Sequence, residues 1–327
     1  MASKQPKKIV VMGGGTGTFT VLSALKKYDF DLTAIVTMSD DGGSTGILRD
    51  ELGVLPPGDV RQCLVALSSS DKLMRELMNY RFDNGKLKGH SFGNLLLSAL
   101  EKVTGSFDKA VEKTGEILRI EGRVIPATLD KVRLMAETTH GIIRGEENIQ
   151  KKHLNGSLKK LWLEPHGKAN PKALAALKEA DLIIIGPGNF YASLVPNLLV
   201  HGIPEAIQKS KATKIFICNL MTKAEHTHGY SVADYTTGIE KYIGDKIDVV
   251  IYNKKKPSEE LMHRYARAGD TLTCWDKLPE NRTLIGKNLV ARTMHVSNKI
   301  GTPAIESSLV RHDAPRLAKI IAELAEE

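Results

Sequence analysis

Short apolar segments that run into glycine- or asparagine-containing loops are the feature that most constrains the fold of this chain. Five segments rich in β-branched residues are interpreted as strands, at residues 8–12, 32–38, 181–185, 214–218 and 247–252. Helical periodicity lies between them, and such alternation is typical of a mostly parallel, doubly wound sheet with helices on both faces. The sequence therefore predicts an α/β fold.

Residues 120–165 differ in character from the rest of the chain. They contain short strand-like pieces separated by turns, at residues 123–125, 133–137, 141–144 and 158–163. This pattern indicates a small β-rich insertion. Residues 257–327 add helices, an apolar stretch and a closing helix from about Asp313, and we expect this C-terminal extension to pack on the same unit. The whole chain, 1–327, is thus predicted to form a single domain.

The composition is that of an ordinary globular chain. Of the 327 residues, 42% are hydrophobic and 26% are charged, which excludes a disordered or fibrous protein. The longest uncharged apolar stretches fall far short of the ~20 residues of a membrane helix. The basic N-terminus is not followed by the apolar run of a signal peptide. We therefore expect a cytoplasmic protein without membrane insertion.

The net charge and the cysteines give weaker constraints. A formal charge of +8 favours anionic partners, but the lysines occur in short pairs and one triplet, so nucleic-acid binding rests on net charge alone and is ranked last. The three cysteines, Cys63, Cys218 and Cys274, are far apart and lack the spacing of zinc ligands. They are predicted to be buried thiols.

Three glycine-containing loops, at residues 13–18, 39–46 and 186–189, follow predicted strands. Ligands bind outside the carboxyl ends of strands in such sheets, so these loops are expected to meet at one crevice. Glycines in the first loop would let backbone N–H groups approach phosphate oxygens at a helix N-terminus. A tight turn that caps the helix explains the same residues. The loop also lacks the last glycine of the dinucleotide fingerprint and the lysine of a P-loop. The candidates here are Gly13, Gly14, Gly15, Thr16, Gly17 and Thr18.

Three aspartates in and near these loops are further candidates for ligand binding. Asp40 and Asp41 follow the second strand, where a dinucleotide fold places its ribose-binding carboxylate, and the pair could also bind Mg²⁺ beside a phosphate. Asp59 follows a Pro-Pro-Gly turn and is a second candidate for a metal or hydroxyl ligand. An Asx-turn explains the first pair, and a helix N-cap explains Asp59 nearly as well.

Asparagines end or begin several predicted elements. Asn94 and His90 lie at a helix start, while Asn189 and Asn219 follow strands, so all could reach the crevice or serve as caps. The sequence His226-Thr227-His228 lacks a third ligand at fixed spacing and is interpreted as a loop rather than a metal site. No nucleophile elbow, Cys/His pair or HExxH motif is present, which removes the usual basis for triad or zinc hydrolases.

Taken together, the loops resemble the CofD-like family and, within it, the gluconeogenesis-factor (YvcK-like) branch. The motifs that carry the resemblance are, in order, KIVVMGGGTGTFTVLSALKKY, IVTMSDDGGSTGILRDELGVLPPGDVRQCLVALS, GHSFGNLLLSAL, IGPGNFYASLVPNLL and ICNLMT. They belong to a match from about residue 7 to 325. The resemblance implies a Rossmann-like, three-layer α/β sandwich.

The resemblance also implies two kinds of function. The transferase branch moves a phospholactyl group from a guanosine diphosphate donor to a hydroxyl of a deazaflavin precursor, using Mg²⁺ held by an aspartate. The long segment DDGGSTGILRDELGVLPPGD departs from that branch and resembles the other one. That branch implies a UDP-sugar ligand, notably UDP-N-acetylglucosamine, no required cofactor, and a regulatory role linking carbon metabolism to cell-wall synthesis and cell shape.

The family's sites can be placed on this sequence by its motifs. Residues 13–18 with Gly186, Gly188 and Asn189 would cradle a diphosphate, and Asp40, Asp41 and Asn94 would surround the sugar, ribose or metal. Asn219, at the end of the next strand, joins these ligand-binding candidates. Tyr265 and Arg311 fit the C-terminal pattern, and would stack on uracil and neutralise phosphate.

Two hypotheses of different class follow. The first is a cytoplasmic UDP-sugar-binding regulator without catalytic residues, working with an unidentified protein partner and as a homo-oligomer, expected to be a dimer. The second is a Mg²⁺-dependent transferase that uses a nucleoside diphosphate donor, with Asp59 as the catalytic candidate and Asp40 and Asp59 as metal ligands.

Overall fold

The structure is a computed structural model that describes residues 5–291 and 310–326. Its strands are β1 (Lys7–Gly13), β2 (Phe30–Val36), β3 (Arg123–Pro126), β4 (Arg133–Thr138), β5 (Gly141–Arg144), β6 (Leu158–Glu164), β7 (Leu182–Ile185), β8 (Thr213–Ile217), β9 (Val249–Asn253) and β10 (Thr283–Lys287). Its helices are α1 (Gly15–Leu25), α2 (Gly43–Leu52), α3 (Gly58–Leu67), α4 (Lys72–Asn79), α5 (Phe92–Thr104), α6 (Phe107–Leu118), α7 (Glu146–Gln150), α8 (Pro171–Glu179), α9 (Val195–Leu198), α10 (Ile203–Lys209), α11 (Val232–Ile243), α12 (Glu259–Arg267) and α13 (Ala314–Glu326). A π-helical turn, Phe190–Leu194, precedes α9.

One parallel sheet organises the molecule. Within the described ranges, seven strands are ordered β10-β9-β8-β7-β1-β2-β3, and every neighbouring pair is parallel. β1 lies between β7 and β2, so the chain order changes direction at this strand. The predicted α/β, Rossmann-like fold is confirmed. The loops after β1, β2 and β7 must therefore emerge side by side at one edge of the sheet.

Hydrophobic side chains on the two faces of this sheet belong to two separate cores. In β1, Ile9 and Val11 pack with α1, α3, α6 and α13, whereas Val10 and Met12 pack with α8, α10 and α11. The same alternation divides Ile184 from Ile183 in β7. Because strand side chains point to opposite faces with a period of two, an unbroken apolar strand requires helices on both sides. The result is the three-layer sandwich.

The predicted β-rich insertion forms a second, antiparallel sheet of strand order β5-β4-β6. Its inner residues, which include Leu134 and Leu163, pack into the core beside α8 and α11. The boundary differs from the sequence interpretation, because Arg123–Pro126 is β3, the edge strand of the main sheet. Short edge strands lack a distinctive pattern, and this one is recognisable only by its pairing with β2. The predicted single domain over residues 1–327 stays a prediction.

The C-terminal extension closes the opposite end of the sheet. It contributes α12, the edge strand β10 within the apolar stretch noted in the sequence, and α13, which packs against α1. Leu317 and Ile321 of α13 are fully buried. In residues 5–291 and 310–326, none of the helices has the length and apolar character needed to cross a membrane.

His312 lies where this extension crosses the sheet. Its Nε2 is 3.1 Å from the carbonyl oxygen of Cys218, just after β8, and residue 312 also bridges Val290. Since a carbonyl only accepts, the ring is bound through a protonated Nε2. Burial lowers the pKa of His312 to about 4. Cys63 and Cys218 are buried thiols, as predicted, whereas Cys274 is half-buried.

The central strands should carry much of the stability. Replacing Ile184→Ala, at 0% exposure in β7, is expected to lower the free energy of unfolding by about 2–5 kcal/mol, because a cavity opens in a packed core. Ile142→Ala, the same change at 66% exposure in β5, should cost well under 1 kcal/mol. Urea unfolding followed by circular dichroism measures both, and equal costs would contradict this account of the core.

His312 should make stability depend on pH. Its folded pKa is lowered, so between about pH 6.5 and pH 4 the unfolded chain takes up a proton that the folded chain does not. The contribution of His312 to the free energy of unfolding is therefore nearly complete above about pH 6.5. We expect the free energy of unfolding to fall by roughly 2 kcal/mol between pH 7 and pH 5. His312→Asn should remove that part of the slope, measured from urea midpoints. His140→Asn, at an exposed site, should leave it unchanged.

Candidate functional site

The loops after β1, β2 and β7 meet at the carboxyl edge of the main sheet. The N–H of Thr37 donates to the Gly13 carbonyl, and the N–H of Gly186 donates to the Met12 carbonyl, so the loops leave their strands side by side. The loop from α2 to α3 reaches the same place, because the Asp59 carboxylate lies against Gly14. We call this group of loops the crevice.

The glycine loop after β1 is shaped by close contacts. A Cβ at Gly17 would overlap the backbone carbonyl of Pro187, and one at Gly14 would overlap the Asp59 carboxylate. Gly15 has φ of +62°, in the left-handed region that favours glycine. The predicted glycine requirement therefore has a structural reason, which is the direct approach of two other loops.

The threonines of this loop face different surroundings. Thr18 is fully buried and its hydroxyl donates to the Gly14 carbonyl at 3.4 Å, so it closes the first turn of α1. Thr16 is half-buried in that turn, and its carbonyl accepts from the Thr20 hydroxyl. Thr16 and Thr18 are both candidates of this loop. Among the described residues, the Thr16 hydroxyl makes no hydrogen bond.

Two helices begin at the crevice without a side-chain cap. α1 starts after Gly14 and α2 after Gly42, and neither of these N-cap glycines caps its helix with a side chain. Among the other helices, α4, α5, α6, α8 and α11 are capped by Asp71, Ser91, Ser106, Asn170 and Ser231, whereas α3, α7 and α12 also lack a side-chain cap. The backbone N–H groups of a helix start and the positive end of the helix dipole suit an anion such as a phosphate.

Asp40 and Asp59 line the crevice. Asp40 Oδ1 accepts from the N–H of Gly42 at 3.0 Å, and its Oδ2 lies 3.0 Å from the position that a Cβ of Gly58 would occupy. Asp59 follows Gly58 directly and contacts the glycine loop. Asp40 therefore lies against Gly58, and Asp59, the next residue of α3, reaches the glycine loop.

Asp41 is turned towards the inserted sheet. One of its oxygens lies 3.3 Å from Arg133 of β4, and the other accepts from the N–H of Glu147 at 3.0 Å. Gly145 fits closely against this carboxylate. Its contacts tie the loop after β2 to the insertion, so the two predicted neighbours Asp40 and Asp41 have different surroundings.

Glu146 is a fourth carboxylate of this region that sequence reasoning missed. It is 6% exposed at the start of α7, and Gln150 donates to it. Burial raises the pKa of Glu146 well above its usual range, and the charges of Asp40, Asp59 and Asp41 raise it further. Burial and the acidic neighbours thus both favour the neutral form of Glu146. Nothing in the local sequence links position 146 to the crevice, since the contact is made by the inserted segment.

Two arginines lie in this region, the buried Arg61 and the half-buried Arg81. Arg61 of α3 donates through Nε to Asn94 Oδ1 at 3.0 Å, and Asn94 is 2% exposed. Burial lowers the pKa of Arg61 to about 10, with Arg81 lowering it further and Asp59 opposing the shift. Arg81 donates to the Ser44 hydroxyl in the first turn of α2 at 3.3 Å. Arg61 and Arg81 stay cationic at neutral pH, and neither was predicted.

The loop after β7 is held by two asparagines. Asn189 Oδ1 accepts from the N–H of Ala192 at 3.2 Å and caps the π-helical turn. Asn219 Nδ2 donates to the Gly188 carbonyl at 2.8 Å, while its buried Oδ1 has no hydrogen-bond partner among the described residues. Gly186 has φ of +84°. Asn219 thus joins the ends of β7 and β8 and retains a free acceptor.

Tyr265 and Arg311 lie towards the β8 and β9 side of the same edge. The Tyr265 hydroxyl accepts from the N–H of Val310 at 2.9 Å, and the ring packs on the core. Arg311 precedes His312, whose contact with Cys218 places this segment beside Asn219. The buried Nε of Arg311 has no partner among the described residues. Burial lowers the pKa of Arg311, and Tyr265 opposes that shift.

The carboxylates of the crevice fit the divalent cation that the resemblance implies. Mg²⁺ in nucleotide sites is held by one or two carboxylates together with ligand phosphates and water. Asp40 and Asp59 fit that manner of binding. In the part of the chain that the structure describes, no group of three or more His, Cys, Asp or Glu side chains is placed to hold a metal by itself.

Comparison with known proteins places these features in a family. The family model described as 2-phospho-L-lactate transferase CofD matches residues 9–294. A protein of Nostoc sp. named putative gluconeogenesis factor is 45% identical over 96% of this chain and 68% of its own length. One of Thermotoga maritima with the same name is 41% identical over 97% of this chain and 99% of its length. The gluconeogenesis factor of Bacillus subtilis is 37% identical over 99% of both chains.

A solved structure agrees with these relatives. A member of the UPF0052 family from Bacillus halodurans has a TM-score of 0.88 and 36% identity, covering 98% of this chain and 100% of its own. The shared sequence, the parallel sheet and the glycine loops at its carboxyl edge all agree with the family match. This chain belongs to the CofD family, among relatives that carry the name gluconeogenesis factor.

Proposed function

We propose that the crevice binds a nucleotide-sugar of the UDP-N-acetylglucosamine class and that the chain acts as a gluconeogenesis factor in regulation. The observation that carries this proposal is that α1 and α2 begin at the crevice without a side-chain cap, with Arg81 bound to Ser44 in the first turn of α2 and Arg61 near enough to Asp59 to feel its charge. These groups suit a diphosphate, which brings at least two negative charges. The names of the relatives support the regulatory part.

The remaining groups have matching roles in this proposal. Backbone N–H groups of residues 13–17 would hold the diphosphate, Asn219 Oδ1 would accept from the base or ribose, and Asp40 would accept from sugar hydroxyls. Arg311, with its unpartnered Nε, would neutralise phosphate from the β8 side. We further propose a cytoplasmic protein that acts with a regulatory partner, as a homo-oligomer, in the control of cell-wall synthesis and cell shape.

The crevice also favours a second candidate function, a Mg²⁺-dependent transferase. Its observation is that the Asp59 carboxylate lies against Gly14 of the glycine loop, while Asp40 lies against Gly58, the residue before Asp59. These carboxylates would hold the ion, and the ion would neutralise the donor's diphosphate as one phosphate moves with the transferred group and a nucleoside monophosphate leaves. Glu146, whose neutral form is favoured by burial and by its acidic neighbours, would hold a proton at its carboxyl group. The family description supports this alternative.

Arg311→Ala should weaken UDP-N-acetylglucosamine binding by about 10- to 100-fold, since a hydrogen bond to a charged group contributes about 1.5–3 kcal/mol. Isothermal titration calorimetry measures the dissociation constant, with UDP-glucose, GDP and NAD as comparison ligands. Arg264→Ala is the matched control, because this exposed arginine of α12 pairs only with Glu260 of its own helix among the described residues. Equal affinity in the two variants would contradict the role given to Arg311.

Asp59→Asn should separate the two candidate functions. If the chain is a transferase, Mg²⁺-dependent loss of the nucleoside diphosphate donor, followed by mass spectrometry, should fall by more than about 100-fold in this variant. For the regulator, UDP-N-acetylglucosamine should remain intact after incubation with wild-type protein and Mg²⁺. Asp83→Asn, at an exposed site, controls for the change of charge. Turnover that survives Asp59→Asn would remove Asp59 from any catalytic role.

A further inference from the structure

A second concavity lies away from the crevice, between the inserted sheet and α11. Its volume is about 360 Å³, within the range of roughly 300–1,000 Å³ that small-molecule sites occupy. The start of β6, the π-helical turn, the loop after β8 and the outer side of α11 form its walls. We call it the tyrosine cavity. Single π-helical turns occur frequently at functional sites.

Aromatic rings form one wall of the tyrosine cavity. Phe190, Tyr191, Tyr230 and Tyr242 line it, and the Phe190 and Tyr191 rings meet edge to face with centroids 4.8 Å apart. The Tyr191 and Tyr230 hydroxyls lie 3.3 Å from each other. The rings thereby hold one another in place. Such a wall suits a planar ring, and base–aromatic stacking contributes about 1–3 kcal/mol.

Positive charge lines the other side. Lys159, Lys160 and Lys241 border the cavity, and no carboxylate is found among the described residues that line it. None of these lysines forms a salt bridge with a carboxylate of the described ranges. Lys160 lies over the Trp162 ring, 5.7 Å from its centroid. The cavity therefore favours an anionic group.

His226 adds a hydrogen-bond acceptor. It is 4% exposed, and its Nε2 lies 2.9 Å from the Ile149 carbonyl, so that nitrogen carries the proton. Its buried Nδ1 has no partner among the described residues and keeps a lone pair. Burial lowers the pKa of His226, which keeps the ring neutral at pH 7. A buried unpaired acceptor costs free energy that a ligand N–H would recover.

We propose that the tyrosine cavity binds a ligand of the nucleoside monophosphate class, a planar nitrogenous ring joined to a phosphate. The ring lies against Tyr191, Tyr230 and Tyr242, and the phosphate lies at Lys159 and Lys241. An N–H of the base, N3–H in uracil or the exocyclic amino group in adenine, donates to His226 Nδ1. None of these residues belongs to the crevice. The site is therefore separate from the one assigned to the nucleotide-sugar, and its occupation does not depend on the function proposed for the crevice.

The test is isothermal titration of the full chain with AMP and UMP, with adenosine and ribose 5-phosphate as incomplete ligands. We expect a monophosphate to bind at least tenfold more tightly than either incomplete ligand, because each of those lacks one of the two contacts. Lys159→Glu/Lys241→Glu should weaken monophosphate binding by about tenfold or more. Lys211→Glu/Lys256→Glu changes the net charge equally at exposed sites outside the cavity and should leave binding unchanged.

A second variant tests the aromatic wall. Tyr242→Leu, at a half-buried position, should weaken binding by about tenfold while the melting temperature stays within a few degrees of wild type. Failure of both monophosphates to bind the wild-type chain would overturn the proposal. Binding that both the cavity lysine variant and Tyr242→Leu leave unchanged would overturn it too, because the monophosphate would then occupy the crevice. Loss of UDP-sugar binding in Arg311→Ala bears on the crevice alone.

Discussion

The contact between Gly17 and the Pro187 carbonyl is the constraint on which the crevice depends. It brings the loops after β1 and β7 together without an intervening side chain, and Asp59 reaches Gly14 by the same means. Three segments far apart in sequence thereby meet around backbone N–H groups at a helix start. Glycine is required here by the space available and, at Gly15, also by φ. The polar character of the crevice follows, because backbone and carboxylates form its surface in place of apolar side chains.

Carboxylates and arginines both lie around the crevice. Asp41 is paired with Arg133 and joins the loop after β2 to the inserted sheet, whereas Asp59 lies against the glycine loop and Asp40 against Gly58. Arg61 and Arg81 approach from α3 and from the segment after α4. Carboxylates close together raise one another's pKa, and Glu146 shows this effect. An anion bound at the helix starts therefore has cationic and acidic neighbours at once, an arrangement that suits a phosphate with or without a divalent cation.

The sequence predicted those parts of the structure that have a local signature. The buried strands, the glycine loops and α13 follow from apolar periodicity and from the change to glycine at a strand end. Arg61 and Asn94 are 33 positions apart, and Asp41 and Arg133 are 92 apart. No local pattern indicates such pairs, so Arg61, Arg81 and Glu146 were missed. Likewise, the adjacent residues Asp40 and Asp41 cannot be distinguished from the sequence, but contacts with the insertion give Asp41 different surroundings from those of Asp40. The assignments of ligand-binding residues themselves stay predictions.

The pairing of β1 with β7 has a consequence for how the chain reaches its native state. The N–H of Lys8 donates to the Asp181 carboxylate across 173 positions, so the middle of the sheet closes around a very long stretch of chain. Loop-closure entropy makes contacts of such separation slow to form. During synthesis, β1 and its glycine loop leave the ribosome long before β7 does. The crevice is thus assembled late, and a chain truncated before residue 188 would lack one of its walls however well its N-terminal half had condensed.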